Sequence, residues 1–156
     1  MSASFTFKEI LGKAVQKENE SQLLYIDLSK KMQDTVSRDA FRDLARQELG
    51  HQKLLEQYQR GELPSGALSG EQTIDFRIAE HFYQPGISPG MQLKDIFLLA
   101  ANREMHSHEI YLALARLHPA GEVKRLLTEL ASQELEHKRR VEFLFTEVAF
   151  PQTDGG

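Results

Sequence analysis

The chain has 156 residues, a formal net charge of −4 and no cysteine. That length holds one domain with a substantial core and leaves little room for a second, and the mild charge gives no electrostatic reason to expect nucleic acid or an anionic membrane as partner. The missing cysteines exclude disulfides, a catalytic thiol, zinc ribbons and any thiolate-held iron centre within this sequence. No apolar run approaches the roughly 18–20 residues needed to span a bilayer. The opening Met1-Ser-Ala-Ser-Phe-Thr-Phe-Lys lacks the apolar centre of a signal peptide, so a soluble cytoplasmic protein is expected.

Thr6-Phe7-Lys8-Glu9 reads as a capping box, with Phe5 and Ile10 spaced as its hydrophobic staple, which predicts a helix from residue 7. Apolar residues then recur at helical spacing through Ile10, Leu11, Ala14, Val15, Leu24, Tyr25, Leu28 and Met32. The polar run 33–37 breaks the pattern, and Ser37 is a candidate cap for a second helix. That helix carries Phe41, Leu44, Ala45, Leu54, Leu55 and Tyr58, and Gly61 is placed to end it in a left-handed cap. A turn this short makes the two helices an antiparallel hairpin over about 7–60.

Residues 61–90 are rich in Gly and Pro and predict a long crossover, with 71–83 ambiguous between a short helix and an extended segment. A third helix is expected from about Met91 to His118, where Pro119 stops it, and a fourth from near Ala120 to about Val148. The result is an all-α four-helix bundle of two hairpins, 7–60 and 91–148, joined by the crossover into one domain spanning 1–156.

An internal repeat carries the strongest signal. Leu44-Ala-Arg-Gln-Glu-Leu-Gly-His51 matches Leu130-Ala-Ser-Gln-Glu-Leu-Glu-His137, and the same offset of 86 residues sets Ala14 on Ala100, Glu18 on Glu104, Tyr25 on Tyr111 and Leu28 on Leu114. Glu48 and His51, like Glu134 and His137, stand three apart and so share one helix face. Each glutamate interrupts an apolar seam at seven-residue spacing. Glu18 sits between Leu11 and Tyr25, Glu48 between Phe41 and Leu55, Glu104 between Phe97 and Tyr111, and Glu134 between Leu127 and Val141. Counted from the turns near 35 and 120, at about 1.5 Å per residue, all six side chains fall at roughly one level.

Four carboxylates buried together would repel one another and lose hydration worth several kcal/mol each. Two divalent cations cancel that charge. Oxygen and imidazole donors without thiolate suit iron or manganese, and zinc is a further possibility. The reading is therefore two metal ions, roughly 3.5–4 Å apart as in other two-metal sites, held by Glu18, Glu48, His51, Glu104, Glu134 and His137, with Glu48 and Glu134 as bridges.

On these six positions, the Glu-x6-Tyr spacing of Glu18/Tyr25 and Glu104/Tyr111, and the segments Ile74-Asp-Phe-Arg-Ile-Ala-Glu and Met91-Gln-Leu-Lys-Asp-Ile, the sequence resembles the rubrerythrin-like branch of the ferritin-like superfamily, in the form without a rubredoxin domain. The resemblance covers almost the whole chain and implies a non-haem di-iron centre reacting with hydrogen peroxide or dioxygen. Rubrerythrins also place a glutamate one turn after the third-helix ligand. This sequence has Ser107 there, which removes a carboxylate that their peroxide chemistry uses.

His108 is a candidate spare ligand or proton donor, whereas His81, His106 and His118 are expected to serve no function. Tyr25 and Tyr111 are candidate catalytic groups beside the metals as well as core residues. Gln22 and Gln47 or Gln133 are candidate hydrogen-bond partners for the histidines. Three functions remain open: a peroxide- or oxygen-reactive oxidoreductase that needs an external, rubredoxin-like electron donor, a ferroxidase or iron storage or delivery protein, and a bundle whose metal is structural. A homodimer is the expected assembly.

Overall fold

The computed structural model describes residues 5–63, 66–74, 78, 81–82, 86–88 and 90–149. Two short strands and four long helices follow in the order β1 (Phe5–Thr6), α1 (Phe7–Lys31), α2 (Thr35–Gln59), β2 (Thr73–Ile74), α3 (Leu93–Leu117) and α4 (Glu122–Ala149). The expected all-α bundle of two hairpins is what forms. α1 packs along α2 and α3 along α4, while across the hairpins α2 and α4 approach closely at only a few positions. The space between hairpins is therefore filled by side chains rather than by close backbones.

Local chemistry explains most of the boundaries. The capping box at Thr6 is complete: its hydroxyl accepts from the Glu9 amide at 3.2 Å, and the Glu9 carboxylate answers the Thr6 amide. α2 is capped by Asp34, not by Ser37; Asp34 accepts from the Ser37 amide at 2.8 Å, and Ser37 is already inside the helix and buried. Asp34 wins because a carboxylate is the stronger acceptor and also faces the positive end of the helix dipole. α2 ends at Gln59, and just beyond it Gly61, with φ of +72°, donates its amide to Tyr58 O while the Glu62 amide donates to Gln57 O, satisfying two of the orphan carbonyls.

The β pairing has no counterpart in the sequence reading. β1 and β2 pair antiparallel, Phe5 opposite Ile74 and Thr6 opposite Thr73. The same stretch of crossover accepts from the first amides of α1, Phe7 to Gln72 O at 2.6 Å and Lys8 to Gly70 O at 3.0 Å. Two donors that a helix start leaves unmet are thus satisfied by the crossover. Within the ambiguous stretch 71–83, residues 73–74 are extended. Residues 75–77, 79–80 and 83 lie outside the described residues, as does most of Ile74-Asp-Phe-Arg-Ile-Ala-Glu.

The core is divided in two. One apolar cluster gathers Phe7, Ile10, Leu55, Ile110, Tyr111 and Leu114, and the other gathers Tyr25, Leu28, Phe41, Leu44, Phe97 and Val141. Each such buried side chain contributes roughly 1.5–3 kcal/mol by leaving water. The polar slab of seam glutamates and histidines lies between the two clusters, which shield it from water at both ends.

His118, expected to be without a role, is a buried structural clasp. Its Nδ1–H donates to Leu114 O at 2.7 Å, the Tyr58 hydroxyl donates to Nε2 at 2.6 Å, and the Leu68 amide donates to the Tyr58 oxygen at 2.7 Å. Burial holds the His118 pKa below its usual 6.5, and the bond to Leu114 only partly offsets this. A histidine with a depressed folded pKa contributes its full stability above about pH 6.5 and loses it as pH falls through the folded value. Wild-type protein should therefore lose melting temperature between pH 7 and pH 5 more steeply than His118→Gln. Parallel melting curves across that range would remove the clasp as a titrating element.

Candidate metal centre

Glu18 on α1, Glu48 and His51 on α2, Glu104 on α3 and Glu134 and His137 on α4 are all buried, and the bundle brings all six together. They form two overlapping donor groups. One is Glu18, Glu48, His51 and Glu134; the other is Glu48, Glu104, Glu134 and His137; within each, the donor atoms lie within 4.8 Å of one another. Glu48 and Glu134 belong to both, which is the arrangement that bridging carboxylates require. Glu18 and His51 belong only to the first group, and Glu104 and His137 only to the second.

The histidines are held across the hairpins. His51 turns Nδ1 to Glu134 at 2.6 Å and Nε2 to the Gln133 amide oxygen at 2.6 Å. His137 mirrors it, with Nδ1 to Glu48 at 2.6 Å and Nε2 to Gln47 at 2.7 Å. An amide oxygen only accepts, so Nε2 carries the hydrogen and Nδ1 is the nitrogen offered to the centre. The two rings lie nearly parallel, 8° apart, at 5.6 Å between centroids. Gln47 is steadied in turn by donating to Asp43 at 2.8 Å, which accepts from Arg140 at 3.0 Å.

Gln47 and Gln133 thus occupy the partner role, each for the histidine of the other hairpin. Gln22 does not; it donates to Glu18 O and to Gln52. His108 is turned to α4, where its Nδ1 donates to Ala131 O at 2.7 Å, and it belongs to neither donor group. The tyrosines also cross between hairpins. The Tyr25 hydroxyl donates to Glu104 and the Tyr111 hydroxyl to Glu18, one from each apolar cluster. The sequence alone places both tyrosines near the glutamates and assigns neither a partner.

Electrostatics fit a cation site. One oxygen of every glutamate (Oε2 of Glu18, Glu48, Glu104 and Glu134) is buried and has no hydrogen-bond partner among the described residues. Buried polar atoms rarely go unpaired, so four at one spot point to missing positive charge. Without ions, only protons can supply it. Burial first, and then the surrounding carboxylates, push Glu48 and Glu134 well above the usual range, which favours their protonated forms. Burial also opposes ionisation of Glu18 and Glu104. The nearby Glu48 and His51, and Glu134 and His137, outweigh it, so Glu18 falls well below the usual range and Glu104 falls to about 2. Burial disfavours the His51 cation too, yet Glu134 and Glu18 hold its pKa up at about 11.

Sequence reasoning missed the buried cations Lys17 and Arg103, which precede Glu18 and Glu104 at the same offset of 86 residues. The basic residue before each seam glutamate was the available signal. Among the described residues, no helix is long and apolar enough to cross a membrane.

The rubrerythrin family model matches residues 9–72, the first hairpin and the start of the crossover. No curated protein matches the chain. A solved structure of a hypothetical protein from Pyrococcus furiosus superposes with a TM-score of 0.74, covering 96% of this chain and 94% of that one at 22% identity, and this likeness shows a shared fold. The rubrerythrin pattern thus lies on the first hairpin, and the second hairpin repeats the same donor set.

Proposed function

We propose that the protein is a non-haem di-iron oxidoreductase that reacts with hydrogen peroxide or dioxygen. The observation that carries this reading is the set of four unpartnered carboxylate oxygens converging with two histidine Nδ1 atoms in donor groups that share Glu48 and Glu134. Glu18 and His51 would hold one ion, Glu104 and His137 the other, and Glu48 and Glu134 would span both. Oxygen and imidazole donors of this kind suit iron, with manganese or zinc as competitors. When bound, two ferrous ions supply a pair of electrons and an open coordination position for the oxidant.

The chain's own side chains prepare that chemistry. Burial, with the adjacent carboxylates, pushes the Tyr25 and Tyr111 hydroxyls well above their usual pKa of 10, so both keep their protons. Each therefore remains a donor to a terminal carboxylate, fixing Glu104 and Glu18 in orientation and keeping an O–H next to the site where oxygen is reduced. The two apolar clusters exclude water above and below the slab. With no cysteine in the sequence, the electrons for repeated turnover come from an external, rubredoxin-like donor.

Stopped-flow absorbance of the anaerobically reduced, iron-loaded protein tests the reading. Mixing with peroxide should oxidise it rapidly in a single turnover and then stop. Adding a reductase and a rubredoxin should restart it, slowly, because Ser107 stands where a further carboxylate would be expected. Rapid oxidation by dioxygen with little response to peroxide would favour ferroxidase or iron-handling function instead. Inertness toward both would leave the metal as a structural ion.

A further inference from the structure

Two histidines that belong to neither donor group meet away from the centre, His81 in the crossover and His106 on α3. Their Nδ1 atoms are 3.0 Å apart, and the ring centroids lie 5.2 Å apart with the planes at 49°. Both residues are partly exposed, so water reaches the pair. His106 follows Glu104 by two residues, and a helix turns it about 200° away from that ligand. The internal repeat does not produce the pair either. At the offset of 86 residues His106 falls on Glu20, and the crossover that carries His81 has no copy.

Each ring is set in place by backbone that the core holds. His106 stands in the middle of α3, between turns anchored by the buried Arg103, Ser107 and Ile110. In the crossover the His81 amide donates to Ile78 O at 3.3 Å, closing a turn. Ile78 is buried in the apolar cluster around Phe7 and Ile110, and Phe82 packs against the same cluster. The two imidazoles are therefore brought together before any ion arrives. Their spacing is that of two ligands on one ion. Nitrogens about 2.0–2.1 Å from a metal, subtending about 90–109° there, stand about 2.9–3.4 Å apart.

We propose that His81 and His106 form a second metal site, separate from the buried centre, for a single zinc ion with copper(II) as its competitor. Water fills the remaining coordination positions. In the empty pair one Nδ1 donates a hydrogen and the other accepts it. An ion replaces that hydrogen when the donor ring carries it on Nε2 instead, a change of tautomer that releases no proton. A turn of the rings about their Cβ–Cγ bonds then aims both lone pairs at one point, and one hydrogen bond is exchanged for two metal–nitrogen bonds. Those bonds, and not charge, carry the affinity. The Lys17 ammonium repels a cation at His106, and the Glu109 carboxylate, one turn along α3, offsets part of that. Two imidazoles without a bridging carboxylate favour zinc or copper over ferrous iron. The ion pins the crossover to α3, as the pairing of β1 with β2 pins it to the start of α1.

Zinc counted by equilibrium dialysis and metal analysis tests the site, with free zinc held at about 10 μM, enough to fill a site of micromolar Kd. The buried centre also takes zinc, so the count is made in two backgrounds, wild type and the double variant Glu48→Gln/Glu134→Gln. In each background His81→Gln and His106→Gln should each lower the count by one ion per chain, whatever the centre itself holds. Melting curves recorded without metal establish that each variant is folded. A zinc count that stays the same when either histidine is replaced, in folded protein, would overturn the site and leave the reading of the buried centre untouched. Should one of the two single variants not fold, the other decides between the same outcomes.

Discussion

Two divalent ions loaded into the metal-free protein are expected to raise its melting temperature by roughly 15–30 °C, since free ion at about 1,000 times Kd adds about 4 kcal/mol per site and a chain of this size gains about 2–4 °C per kcal/mol. The same step should release protons. Burial and the surrounding carboxylates raise Glu48 and Glu134 well above the usual range, and the carboxylates beside His51 hold its pKa near 11. An ion takes the lone pairs that protons occupy in the empty cluster, so loading at pH 7 should free protons. Calorimetry in buffers of different ionisation enthalpy counts them.

The same shifts make the two forms diverge with pH. Glu48 and Glu134 have folded pKa values above the unfolded 4.5, so their contribution is complete below that value and is lost as pH rises through the folded ones. The His51 contribution, with a folded value near 11 against 6.5 unfolded, is likewise lost only on the alkaline side. Glu18 and Glu104 act oppositely, contributing above pH 4.5 and failing only in strong acid. Metal-free protein should therefore soften as pH rises into the alkaline range. Loaded protein, in which ions have replaced the protons, should not. Apo and loaded forms that melt together at every pH would contradict the centre as assigned.

Replacing a bridge should cost more than replacing any partner of the histidines. Glu48→Gln or Glu134→Gln removes an oxygen shared by both donor groups, so affinity should fall for both ions, by about 100-fold or more given that mere partners of ligands cost 10–100-fold. Metal-free Glu48→Gln should be no less stable than wild type. Its neutral amide replaces a carboxyl whose neutral form burial favours, and its N–H groups can serve the unpaired Oε2 of Glu18. Titration calorimetry and metal analysis, with melting curves of both forms, separate the two effects. A Glu48→Gln protein that kept two ions at wild-type affinity would remove Glu48 from the bridging role.

By itself, the sequence determined the four helices, their pairing into hairpins and the six side chains that meet between them. Those features follow from local rules. A helical period places Glu48 and His51 on one face, apolar neighbours seven residues away place that face inward, and the repeat at 86 residues does the same for Glu134 and His137. Everything that joins one hairpin to the other was decided by the tertiary structure. Gln47 serves His137 and Gln133 serves His51, Tyr25 reaches Glu104 and Tyr111 reaches Glu18, and Lys17 crosses to Ser107. No spacing within a helix encodes such pairs, because they depend on how far apart the hairpins stand and how each is rotated. The same holds for β1 on β2 and for Tyr58 on His118, where residues some sixty or more positions apart meet only once the crossover has closed.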